Sequence, residues 1–81
     1  MPIPDPALVL AILRHANLVP HEHETLRGPW VDGIATVTAS CHALIARHSP
    51  HDPLPWLVAA DEARRLVRER GCLCAALAAV I

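Results

Sequence analysis

Phenylalanine, tyrosine, lysine and glutamine are all missing from this chain of 81 residues. Without Phe or Tyr, only Trp30 and Trp56 can each bury the roughly 150–250 Å² that an aromatic side chain contributes. The core must therefore come from Ala, Leu, Val and Ile, small side chains that favour close helix–helix approach over thick sheet packing. The basic residues are all Arg, a bias that a GC-rich coding sequence explains without selection for bidentate contacts. Net charge is only −1, so no overall field draws the chain to nucleic acid or anionic membranes. The longest apolar run, Cys72 to Ile81, is about half of the ~20 residues that a membrane-spanning helix needs. Cysteine is scarce and odd in number, and Cys72 and Cys74 are too close in sequence for a relaxed disulfide. With no signal-peptide pattern, a reducing cytoplasm is the expected location.

What remains is 53% hydrophobic. A chain of this size makes one domain near the lower limit for a self-sufficient core, hiding only roughly 60% of its unfolded surface. The pattern predicts an all-α fold: a small three- to four-helix bundle with helices over about 6–17, 31–48, 54–70 and 72–80, behind an extended arm over 1–5. Asp5-Pro6 reads as a helix start, Asp capping free amides and Pro filling the first position where no N–H is needed. Ala7 to Leu13 is apolar on every side, which places this helix in the middle of the bundle or against a second chain. Leu18 to Pro29 reads as a linker. In the second helix, Val31, Ile34, Val37, Cys41, Leu44 or Ile45, and His48 follow a 3–4 spacing and share one face. Asp32, Thr36, Ser40 and Arg47 fall opposite, and Ala35, Ala39, Ala43 and Ala46 form a strip that would let another helix backbone come close. Asp52-Pro53 repeats the cap-plus-Pro device. Asp61 and Arg65 form an i,i+4 pair, and Gly71 is the natural C-cap.

Three features could carry function. The apolar first helix and the wholly apolar tail exceed what a small bundle easily buries, and surplus apolar surface marks interaction sites. That points to a non-catalytic protein–protein interaction module: a small regulator or inhibitor, an assembly subunit, or a homodimer meeting its second copy through the first helix and tail. If those two elements pack on each other, the argument loses its main support. Trp30, Trp56, Arg64, Arg65, Arg68, Leu73 and Leu77 are the expected partner contacts. The alternative is a metal-binding domain in which His21, His23, Cys72 and Cys74 hold zinc. Two imidazoles and two thiolates suit a tetrahedral site, although one-residue gaps aim side chains apart on a helix. Third, Arg64, Arg65 and Arg68 form a basic stripe for a nucleic-acid backbone, diluted by Asp61, Glu62 and Glu69. Catalysis is not expected. Cys41 and His42 are helical neighbours that point about 100° apart, and no Ser, His and acid grouping or phosphate loop is visible.

Overall fold

The structure is a computed structural model that describes residues 3–22 and 33–81, with side chains over 3–18 and 33–81. It contains α1 (Pro6–Glu22), α2 (Gly33–His48), α3 (Leu54–Arg70) and α4 (Leu73–Val80), with no strand among the described residues. The expected all-α bundle is the fold found. Among the described residues no helix is long and apolar enough to cross a membrane.

α1 starts as its sequence dictates. The Asp5 carboxylate accepts from the Ala7 amide at 2.9 Å, with Pro6 opening the helix. It runs five residues beyond the expected end, through Pro20 to Glu22. Proline disrupts a helix interior through its missing N–H and its clash with the preceding turn. Here Pro20 lies in the last turn, where only the tail of the ladder is affected. The linker expected from Leu18 is thus helical as far as Glu22. Residues 31 and 32, expected to open the second helix, lie outside the described residues.

α3 lacks the side-chain cap expected of Asp52. Its N-cap is Pro53, with no side-chain hydrogen bond, and the Asp52 amide instead closes a turn onto the Ser49 carbonyl at 3.2 Å. Two prolines, Pro53 and Pro55, already remove amides that a cap would otherwise serve. At its far end Gly71 takes the left-handed conformation, φ +87°, and donates its amide to the Val67 carbonyl at 2.8 Å. This turns the chain so sharply that Cys72 is at once the N-cap of α4, its sulfur accepting from the Ala75 amide at 3.3 Å.

α1 and α3 form the centre, each packing against all three other helices. α1 contributes Val9, Ile12, Leu13 and Ala16, spaced i, i+3, i+4, i+7, and α3 contributes Trp56, Ala59, Ala60, Ala63, Leu66 and Val67. The alanines of α3 let its neighbours approach closely, as the lack of large aromatics requires. α4 lies directly on α1 and α3, burying Leu73 and Ala76, with Leu77 and Val80 packed at the edge. Much of the surplus expected from the sequence is therefore covered inside the chain, where the apolar first helix and the apolar tail pack on each other, while Leu18 and Ile81 stay exposed.

Candidate functional site

The three acids of α3 are paired with two of its four arginines, Arg64 and Arg65. Arg65 donates to Glu62 through Nε and Nη2 and to Glu69 through Nη1. Those bonds hold the Glu62 carboxyl below its ordinary value and push the Arg65 guanidinium up. Arg64 bonds Asp61 and reaches across to the Thr38 hydroxyl of α2 at 2.8 Å. The pairs are thus Asp61–Arg64 and Glu62–Arg65–Glu69, not the expected Asp61–Arg65. Side-chain reach explains the change: i,i+3 neighbours lie as close as i,i+4 ones, and Arg65 has acids on both sides. Two of the three arginines proposed for a partner or nucleic acid are committed within the chain, while Arg68 is exposed.

Other expected contacts are also interior. Trp56 is 7% exposed and Leu73 is 4% exposed, both in the core; Leu77 is half-buried beside it. The exposed His48 imidazole stacks on the Trp56 indole, with ring centroids 6.0 Å apart. Trp30 and His23 lie outside the described residues, as does the His21 side chain. The described residues hold no group of three or more metal-ligating side chains. Cys72 caps α4, and the exposed Cys74 thiol donates to the Asn17 Oδ1 of α1 at 3.4 Å. Cys41 is buried with its thiol on the Trp56 carbonyl at 3.4 Å, and burial pushes that thiol up. Its neighbour His42, by contrast, is exposed.

None of the polar contacts between helices is marked in the sequence, and one of them joins α1 to α2. Ser40 was expected on the outer side of α2, yet it is 1% exposed, and its hydroxyl meets His15 Nδ1 at 3.0 Å. A serine among alanines at helical spacing gives no sign of its partner, which lies 25 positions away on α1. Its Oγ is sealed from solvent, and no carboxylate bonds His15 among the described residues. The pair joins two helices and satisfies a buried hydroxyl.

What the fold leaves outside is the strip on α2. Ala35, Ala39, Ala43 and Ala46 are all exposed. A groove of about 400 Å³ runs along the first three, lined by His15, Ala35, Thr36, Ala39, Ser40 and Ala43. From Gly33 to Ala46 this helix carries no Asp, Glu, Lys or Arg, in contrast to the outer face of α3. At the head of α3, Leu54 and Leu57 are exposed as well. No protein-family model, curated protein or solved structure matches this chain.

Proposed function

We propose that the chain is a non-catalytic protein–protein interaction module that presents the outer face of α2 to a helix of a partner protein or of a second copy. The observation that carries this reading is the uncharged, alanine-lined surface from Ala35 to Ala46. A helix face meant for water usually carries charge, and α3 has its own. Exposed alanines let a second backbone approach closely, and they lose almost no side-chain entropy on docking. The interface expected from the apolar tail is thereby moved to the opposite flank of the bundle, because α4 is occupied with α1 and α3.

The test compares the wild-type chain with Ala39→Arg, which puts a long charged side chain in the middle of the strip. Molar mass by light scattering and proteins retained from the native host are measured for both. The variant is expected to lose an association that the wild type makes, while its melting midpoint stays within about 2 °C, as befits a surface substitution. A monomeric wild type whose retained proteins are unchanged by the substitution would sink the reading.

A further inference from the structure

We propose that Cys72 and Cys74 form a thiol–disulfide switch that controls whether α4 stays docked. This inference is independent of the α2 surface. It rests on the different tasks that the two sulfurs perform at the corner between α3 and α4. Cys72, extended at φ −160° and ψ 164°, turns its sulfur inward over the first turn of α4 and accepts from the Ala75 amide. Cys74, two residues on and exposed, turns its sulfur to Asn17 and pins α4 to α1. Between them lies Leu73, buried against the end of α3 and the start of α2; a Cβ built on Gly33 would sit 3.9 Å from it. The Cys74 contact needs the thiol proton and is lost on oxidation, whereas the Cys72 cap, made through an accepting sulfur, depends only on the present geometry.

A Cys72–Cys74 bond is incompatible with that geometry. Residues two apart at a helix start project to different sides, whereas a disulfide needs Cβ atoms about 3.5–4.5 Å apart with converging bonds. Closing the ring forces Leu73 and Cys74 out of helical backbone, removes the cap and the Asn17 contact, and draws Leu73 from its slot. α4 has only eight residues and no charged side chain, so without those two contacts and the Leu73 slot only Ala76, Leu77 and Val80 remain to hold it by apolar packing. A helix this short is not stable by itself.

The oxidant is a low-molecular-weight disulfide. The exposed Cys74, as thiolate, attacks one sulfur of that disulfide and expels a small thiolate, which takes up the proton that Cys74 released. The Cys72 thiolate then attacks the Cys74 sulfur of the mixed disulfide and expels the second small thiolate, which takes up the proton that Cys72 released. Two protein thiols are oxidised by two electrons, one small disulfide is reduced to two thiols, and the protein gains one S–S bond. Cys41 takes no part, being buried with a raised pKa.

The experiment equilibrates the full chain, with chelator present, in buffers of varied oxidised-to-reduced glutathione ratio. Peptide mass spectrometry reads the thiols, and amide hydrogen exchange reads each helix. The expected result is an intramolecular Cys72–Cys74 disulfide that reduction reverses. In the oxidised form α4 amides should exchange at least about tenfold faster, with α1 and α3 little changed. The Cys74→Ser variant should keep α4 protected at every ratio, because it retains the Cys72 cap. Three results would overturn the proposal: a disulfide that leaves α4 exchange unchanged, mixed or intermolecular disulfides only, or an α4 already unprotected in the reduced chain.

Discussion

At the scale of single residues, two positions bear strain or protection that measurements can reach. Gly33 opens α2 where a Cβ would meet Val67 Cγ1 at 2.9 Å. Alanine is the better helix former by about 1 kcal/mol, but the overlap reverses the sign. Gly33→Ala should destabilise the chain by about 1–3 kcal/mol in denaturant unfolding, and adding Val67→Ala should recover part of that loss instead of summing with it. Full additivity would mean that the clash is not the cause. Cys41 gives the second case. Its folded thiol is raised above the ordinary 9.0, so below that value both states hold the proton and pH has no leverage. Above it the unfolded chain releases a proton that the folded chain keeps, and stability falls as pH rises, by up to about 1.4 kcal/mol per pH unit. The absence of Lys and Tyr makes the effect readable, since few other groups titrate there. Unfolding between pH 8 and 10.5 should show this fall in the wild type and a flatter line in Cys41→Ala. Equal slopes would assign the fall to other groups. The buried Ser40–His15 contact belongs to the same scale, and it was not legible beforehand because nothing local in the sequence marks a bond across 25 positions.

At the scale of the element, sequence and structure agree where the backbone decides and part where side chains choose among neighbours. α3 was legible to the residue, from Leu54 to Arg70, because prolines and Gly71 bound it on chemical grounds. The pairing on its surface was not, since Arg65 can reach Glu62, Glu69 or Asp61 with similar ease. α1 was underestimated because a proline in a last turn and a proline in a linker look alike in sequence. The Glu62–Arg65–Glu69 cluster carries its own pH signature. With the folded Glu62 carboxyl held below its ordinary 4.5, its contribution is present above that value and is lost as pH falls through the lower folded value. Melting curves from pH 6 down to pH 3 should therefore fall slightly less steeply for Glu62→Gln than for the wild type. Because the pair is largely solvated, the difference should be small, about 2 °C or less. A difference of ten degrees would mean that Glu62 holds the fold through something other than this surface bond.

At the scale of the whole molecule, the question is how so small a chain closes a core without large aromatics. Its solution is two central helices, α1 and α3, with α2 and α4 each covering an apolar flank. The apolar character of α1 and of Cys72–Ile81 was plain in the sequence; that they meet each other was not, because composition carries no distance. The same closure leaves the alanine strip of α2 outside, along with Leu54 and Leu57 at the head of α3, and makes α4 more than an appendage. A domain of this length has total stability on the order of 4–12 kcal/mol, and truncating a buried leucine costs about 2–5 kcal/mol. Leu73 lies beside Val67 and the start of α2, so its loss should open a cavity where three helices meet. Leu73→Ala should lower stability by about 2–5 kcal/mol in urea, broaden or abolish the thermal transition, and induce binding of a hydrophobic dye. Leu54→Ala, which removes an exposed leucine of the same size, should change stability by about 0.5 kcal/mol or less. If the two variants behave alike, α4 is not part of the cooperative core, and the apolar tail is again surplus surface in search of a cover.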